Sequence, residues 1–579
     1  MKQTLKTLCI AALAVVGAMT TGCTSLEIPE QSRNEEEKTV TLITTIALGG
    51  NPESKALSAA GVKTFAAGEQ VAVIYEDENG NTQKAVSTAL EAEDIHDEGK
   101  KADITVTLTD PAQNGTLRYI YPAAMAKATI ATDATIDDAG TIDFTNLDAQ
   151  DGTLATLSGS LDLAVYDGNL TGEATLPASV TLTNQLTIGE FTIKNADGSL
   201  NITGTIASLT VSDGTNTYTV TPEAPATNFG DGPIYVAMKP VTDDKTLTFT
   251  IDNNATPKEV TGKALDAGKM YPVGLKFGSS VALSGVATTD GNGALYYAAQ
   301  NGDILSGNFS GAAYVTVADG ATVTLCDVVI HAPSKCDHAA IHCLGDANIV
   351  LAGSEYNYLD AGSNSAYPAL FVPQGNTLTI SGTAELRAYA LDSYSAGIGS
   401  GYNHDTGTPI NCGTIVIAGG VIEARGGYGA AGIGSGNHSS CDGIQITGGI
   451  ITSSEGGSHA AGIGSGANGS CGNIEISGGQ VGGDYGGWVY NGAIGGELAA
   501  GIGCGRSSPC GDITIGGTAN VTANKGSSAM HAIGFSYHEG EEIQKTCGTI
   551  TIGGTEYYNG TNKTWVSEEL ENALKVATF

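Results

Sequence analysis

Basic residues are scarce in this chain. Lysine and arginine number 26 against 61 aspartates and glutamates, which leaves a formal net charge of −35. Nucleic acid is excluded as a partner on that ground, because its phosphates repel so acidic a surface. Aromatic residues are thin too, at 6% with two tryptophans, so an exposed one is worth locating. Long apolar runs are missing: the run from Leu8 to Ala18 is too short to span a bilayer. Helix-length amphipathic stretches are missing between the repeat copies of the second half, which excludes helical repeats. Glycine is abundant, 81 of 579 residues. Short alternating runs of Thr, Val, Ile and Tyr between the glycines read as strands, so the fold class expected is all-β.

The N-terminus, "MKQTLKTLCIAALAVVGAMTTGC", places Lys2 and Lys6 before the apolar run and Gly22-Cys23 after it. This reads as an export signal. Small residues directly before a cysteine resemble a bacterial lipoprotein signal, which implies removal of residues 1–22 and lipid on Cys23. Thr20 stands where leucine is usual, and an ordinary secretory signal is the alternative. Residues 23–37, with "EIPEQSRNEEEK", read as an acidic tether and resemble the export tags of surface lipoproteins in Bacteroidota-type bacteria.

A repeat dominates the second half. "AGIGSG" occurs at Ala396, Ala431 and Ala461, becomes "AGIGCG" at Ala500 and degrades to "HAIGFS" at His531. A Cys-x-x-Ile-x-Ile element follows each copy, from Cys412, Cys441, Cys471, Cys510 and Cys547. "TLTISG" at Thr377, "NIVLAG" at Asn348 and a fainter "TVTL" at Thr322 extend the series upstream. The first apolar residues are Val323, Ile349, Leu378, Ile415, Ile444, Ile474, Ile513 and Ile550, spaced by 26, 29, 37, 29, 30, 39 and 37 residues. A period in this range means a solenoid. Apolar-x-apolar triplets bounded by glycine are short strands with one face buried, and blades of four longer strands do not fit. A parallel β-helix of about eight coils over residues 278–579 is expected. The G-x-G-x-x-G match at Gly464–Gly469 belongs to this corner and has no following helix, so it is not a dinucleotide site.

The five repeat cysteines are expected to form a column. It reads as a packed stack of thiols rather than a ladder of disulfides, since an odd number cannot pair fully. "CDHAAIHC" (Cys336, His338, His342, Cys343) has ligand types without zinc spacing, and no metal site is assigned. Structural calcium at corner aspartates such as Asp442 and Asp512 is a minor alternative; no cofactor is expected.

Residues 38–277 alternate differently. Strands are expected at Thr39–Leu48, Gln70–Asp77, Ala102–Leu108, Leu117–Pro122, Leu186–Ile193, Ser208–Asp213, Pro233–Val241, Thr246–Asn253 and Tyr271–Phe277. Many short strands without helices suggest sandwiches, two of them, 38–167 and 168–277. "FAAGEQVAVIYED", "GPIYVAMKPV", "LTFTIDNN" and "LDAGKMYPVGLKF" resemble the fimbrillin family of lipoprotein pilins, tandem transthyretin-like sandwiches. The resemblance implies that a protease removes the first strand, here Thr39–Leu48, and that another subunit donates a strand to the vacated groove. The matching cut is Lys55-Ala56, where the family usually has arginine; without it the molecule stays anchored as a monomer or basal subunit. The region from Gly278 onward resembles the right-handed parallel β-helix arrays of bacterial carbohydrate-binding surface proteins.

Enzymatic β-helices converge acids on one outer strip. The outward residues between the paired apolars are Thr324, Val350, Thr379, Val416, Gln445, Glu475, Thr514 and Thr551, with one acid among them. No catalytic set emerges, and a glycan lyase or hydrolase is the weakest reading. The irregular insertions are better binding candidates: Tyr402 in "YNHDTGTP", the segment "YHEGEE", and Asp484, Tyr485, Trp488 and Tyr490 in "GGDYGGWVYNGAIGGE". Packing of Trp488 and Tyr490 back onto a coil is the alternative. The tail "TWVSEELENALKVATF" is expected to form a capping helix with Leu570 and Leu574 inward; a strand donated to another subunit is a lesser alternative. The function expected is a cell-surface or outer-membrane adhesin, a tip or accessory fimbrial subunit with other subunits and a glycan or surface ligand as partners. The alternative is a solitary lipoprotein that captures polysaccharide. Replacing Cys23 with Ala is expected to abolish palmitate labelling and membrane retention; a variant still found in the membrane fraction refutes the lipid anchor.

Overall fold

The computed structural model describes residues 38–49, 64–172, 174–252, 254–536, 547–573 and 577–578. Cys23, Lys55, Ala56, Leu574 and the segment Tyr537–Glu542 lie outside the described residues. The fold is nearly all β, with a few helical turns. No helix among the described residues is long and apolar enough to cross a membrane.

The first sheet has eight strands, in the order Thr82–Val86, Ala72–Glu76, Thr116–Tyr121, Ala164–Asn169, Ser179–Asn184, Thr39–Gly49, Lys101–Thr109 and Ile95–His96. Alternation along these strands buries Val73, Tyr75, Ile104, Val106, Tyr119 and Leu182 in one core with Ile46. Thr39–Gly49 is interior to the sheet, antiparallel to Lys101–Thr109 and parallel to Ser179–Asn184.

Two further sheets follow. Thr187–Lys194 lies between Ile234–Met238 and Met270–Lys276. Asn254–Thr261, Thr246–Ile251, Leu209–Ser212, Thr217–Val220 and Ala149–Gln150 form the other. Their inner faces share a core, in which the Phe191 and Phe249 rings meet edge to face at 5.2 Å. The opposite face of the first sheet adds Ile74, Ile120 and Val165 to the same core.

The junction expected at Asp167 is corrected. Asp167 sits inside the strand Ala164–Asn169, where its carboxylate accepts from Nε and NH2 of the nearly buried Arg118 at 2.6 and 2.8 Å. First-sheet pairing continues to Asn184, and Ala149–Gln150 crosses to the later sheet. The polar turn "YDGN" resembles a break, but the ion pair holds it in the ladder.

From Ser280 onward successive segments stack in parallel, and each winding contributes to three ladders. The first ladder runs from Leu295–Ala299 to Ile533–Gly534 through the Ile-Gly pairs. The second joins the Ile-x-Ile strands in register: Leu378↔Ile415, Ile415↔Ile444, Ile444↔Ile474, Ile474↔Ile513 and Ile513↔Ile550. The third runs through Tyr356–Asp360, Glu385–Tyr389, Val421–Arg425 and Ile450–Glu455. One continuous core fills the interior. The second ladder has ten rungs among the described residues, not eight. Ser280–Ala282 and Ile304–Asn308 precede the series, and they lack the glycine-rich corner that marks later copies.

The repeated "GIG" has a steric cause. Gly399, Gly434, Gly464 and Gly503 have φ of +142°, +132°, +137° and +124°. A Cβ on each would lie 1.8 to 2.1 Å from the carbonyl oxygen of the equivalent glycine in the next winding. That oxygen already accepts an N–H from the winding below: Gly434 O from Ser400, Gly464 O from Ser435. Only glycine permits this approach.

The tail differs from expectation. The helix is short, Glu568–Ala573, with Leu570 half-buried. The edge of the last winding is covered by Thr555–Asn559 and Thr564–Trp565, and Ala577–Thr578 pairs antiparallel with Asn520–Asn524. A strand satisfies edge N–H and C=O groups that a helix would leave open. Gly434→Ala is expected to cost on the order of 2–4 kcal/mol, from strained φ and a lost hydrogen bond. Gly516→Ala, where a Cβ meets nothing within 4 Å, is the control. Equal melting midpoints for the two variants would refute the steric account.

Candidate functional site

Strands of the third ladder alternate inward apolar with outward polar residues. Leu359, Leu386, Ala388, Ile422 and Ala424 are buried, so Tyr356, Tyr358, Glu385, Arg387, Tyr389, Glu423, Arg425 and Glu455 face out. Register places Tyr358, Arg387, Glu423 and Ser453 in one column, and Asp360, Tyr389, Arg425 and Glu455 in the next. Rungs lie about 4.8 Å apart, so neighbours in a column touch.

The contacts bear this out. The Arg387 guanidinium lies over the Tyr356 ring at 4.2 Å, and that of Arg425 over Tyr389 at 5.2 Å. Arg387 Nε donates to Glu385 at 2.6 Å, and Arg425 bonds Glu423 at 2.9 Å. Glu423 reaches Arg387 at 3.6 Å and Glu455 reaches Arg425 at 3.7 Å. Burial, reinforced by Glu423, pushes the Tyr389 phenol up, so it remains a hydrogen-bond donor at neutral pH. The result is a flat strip of planar cations, carboxylates and phenols held rigidly by the ladder beneath. These residues were missed in the sequence; the signal was the second alternation after each Ile-x-Ile, in "ELRAY" and "VIEAR".

A hairpin rises from the same ladder one rung beyond Glu455. Val481 pairs with Ile451 and Gly492 with Ser453, and the chain between them leaves the sheet. Gly483–Tyr485 pairs antiparallel with Trp488–Tyr490 across Gly486-Gly487, both at positive φ. Trp488 is 72% exposed and Val489 79%. Trp488 therefore does not pack back onto a coil. Tyr490 is half-buried with its ring 6.4 Å from Tyr485, and Asp484 is exposed, its carbonyl accepting from Gln480.

Tyr402 stands elsewhere. Its hairpin, Gly401–Asn403 with Thr408–Ile410, is inserted between the first and second ladders, whereas the Trp488 hairpin leaves the third ladder. Tyr394 stacks on His404 at 4.3 Å, with Tyr402 at 6.3 Å and Tyr428 at 5.6 Å. Tyr394, Tyr402 and His404 border a cavity of about 240 Å³ that Lys335, Asn364 and Asp405 also line. Lys335 and Asp405 pair at 3.1 Å, both well exposed, which contributes little.

Among the described residues, Cys336, His338, His342 and Cys343 do not converge as ligands. His338 and His342 instead join a row of rings that continues through Tyr314 and Tyr367. Burial, with His338 beside it, depresses His342 to about 4, so it is neutral at pH 7. Corner carboxylates hold backbone: Asp442 accepts from Gly375 at 2.8 Å and Asp512 from Thr549 at 2.7 Å.

Trp488→Ala is expected to change stability by less than about 0.5 kcal/mol, as surface substitutions do. A loss above about 1 kcal/mol in thermal or chemical unfolding would mean that the indole packs.

No protein-family model matches the chain, and no curated protein matches its sequence. Solved structures with local likeness include a fimbrial assembly protein from Parabacteroides distasonis, 12% identical over 41% of this chain and 91% of that one, with a TM-score of 0.23. Another is the tip fimbrial protein Mfa3 from Porphyromonas gingivalis with a C-terminal truncation, 11% identical over 38% and 81%, with a TM-score of 0.19. Scores this low carry no argument.

Proposed function

We propose that the protein is a cell-surface adhesin, a tip or accessory fimbrial subunit whose C-terminal parallel β-helix presents the ligand-binding surface. The observation that carries this is the exposed Trp488 hairpin standing beside the Arg387–Tyr389–Arg425 strip. A flat strip of aromatic faces, bidentate donors and carboxylates suits a glycan: CH faces stack on rings, and hydroxyls bond Arg and Glu. Lipid on Cys23 delivers the chain to the outer membrane, and residues 38–277 act as tandem fimbrillin-like sandwiches.

Thr39–Gly49 supports the fimbrial part. It is held by ladders on both sides and contributes buried Ile46. Loss of this strand after a cut at Lys55-Ala56 leaves a two-sided acceptor groove for a donated strand. The second reading, a solitary polysaccharide-capturing lipoprotein, keeps the strip and drops the cut. Structural calcium is no part of either.

A glycan array with the mature chain tests the surface. Trp488→Ala is expected to weaken binding by about 1–3 kcal/mol, on the scale of aromatic stacking of bases, and Arg387→Ala with Arg425→Ala to abolish it. Binding that survives all three changes places the site elsewhere, first at Tyr402. Attachment to a protein ligand without any glycan binding refutes the glycan assignment. Mass spectrometry of the mature N-terminus on cells separates the two readings: a start at Ala56 gives the processed subunit, and lipid on Cys23 with residues 39–49 retained gives the solitary one.

A further inference from the structure

The corner after each Ile-Gly pair carries a small residue whose role is fixed by the stacking. Ser400, Ser435 and Ser465 are buried there, and each hydroxyl accepts an N–H from the next winding, from Gly436, Gly466 and Gly505 at 2.7, 2.8 and 3.0 Å. In the fourth copy the serine is replaced by Cys504, also buried. That replacement brings a third sulfur beside the column cysteines Cys510 and Cys547. Cys504 Sγ lies 2.7 Å from Cys510 Sγ, and Cys510 Sγ lies 3.1 Å from Cys547 Sγ. All three sulfurs lie within 4.8 Å of one another. No other convergent set of three such ligands occurs among the described residues.

We propose that Cys504, Cys510 and Cys547 form a buried trigonal site for a thiophilic d¹⁰ cation, Zn(II) or Cu(I). Three sulfurs converge where a disulfide would use two and strand the third. Soft thiolate sets select these ions. With metal–sulfur bonds of about 2.3 Å the sulfurs stand roughly 3.8–4.0 Å apart, so side-chain rotations of under about 1.5 Å open the cluster to fit. A bound cation neutralises part of the charge that three buried thiolates would otherwise carry. On binding, three S–H bonds break, three metal–sulfur bonds form and three protons leave to solvent, with no change of oxidation state.

A second, independent observation lies beside the cluster. Tyr558 is fully buried, and its hydroxyl has no hydrogen-bond partner among the described residues. Tyr558 pairs across the ladder with Ile550, three residues on from Cys547, and shares the same core as the three cysteines. Leaving a buried O–H without an acceptor is costly; a metal-bound thiolate is the acceptor it lacks, and donation steadies the ligand as outer-shell groups do. The site would clamp the last windings beneath the covering tail, with the Phe535 ring packed on Tyr558 at 5.3 Å.

The full chain, reduced and held in oxygen-free buffer, is titrated separately with Zn(II) and Cu(I). Native mass spectrometry and the ultraviolet sulfur-to-metal charge-transfer band give the readout. One ion per chain is expected for at least one metal, which also identifies it, with three protons displaced. Tyr558→Phe is expected to fold, by circular dichroism, and to bind 10–100-fold more weakly. Cys547→Ser is expected to lose at least as much. The proposal is overturned if the reduced chain binds neither ion, if the triple serine variant binds as well as the parent, or if Tyr558→Phe leaves affinity unchanged. A Cys504–Cys510 or Cys510–Cys547 disulfide in the chain isolated without reductant would overturn it as well.

Discussion

The stacked half of the molecule depends on one close approach. At each corner a glycine α-carbon sits against the carbonyl of the glycine one winding away, with no room for a methyl group. That contact sets the rise between windings. It lets Ile398, Ile433, Ile463, Ile502 and Ile533 lie directly above one another in the core. The Ile-x-Ile ladder inherits the same spacing, and so does the third ladder, whose outward side chains form the strip. A tilt at the glycine corner would slide Arg387 off Tyr356 and separate it from Glu423.

The strip is unusual for its charge. The chain has five arginines in all, and two of them stand on adjacent rungs, each over a tyrosine and each shared between carboxylates. Partly exposed ion pairs of this kind contribute little to stability. On the proposed function, their order serves presentation: guanidinium planes stacked on rings and shared between carboxylates are held on the ladder rather than left free on a loop.

How legible this was depended on which side of the backbone carried the signal. The buried side was readable: Ile415, Ile444 and Ile474 recur with a period and are bounded by glycine, so parallel stacking followed from spacing alone. The outward side was not, because Tyr358, Arg387 and Glu423 differ from rung to rung and only register makes them neighbours. Trp488 was picked out by its insertion, yet its exposure was open until Gly486-Gly487 were seen to close a tight hairpin. The Asp167 junction failed because a turn-like composition concealed the Arg118 ion pair. Cys504 was passed over for a related reason: it belongs to the corner motif, and only the winding brings that corner beside Cys510.

The last winding and the first sheet satisfy their strands in different ways. A stack of parallel strands exposes an unpaired rung at its last winding, a template for another chain. Here Thr555–Asn559, Thr564–Trp565 and Ala577–Thr578 cover it, and the Phe535, Tyr558 and Trp565 rings pack beneath. In the first sheet Thr39–Gly49 fills the place between Lys101–Thr109 and Ser179–Asn184. It is tied to the rest of the sheet through pairing, through side-chain hydrogen bonds such as Thr45 Oγ1 to Asp103 at 2.6 Å, and through the burial of a few side chains, Thr44 and Ile46 among them. On the proposed fimbrial function, the covered C-terminal edge leaves the place held by Thr39–Gly49, between Lys101–Thr109 and Ser179–Asn184, as the position a donated strand would take.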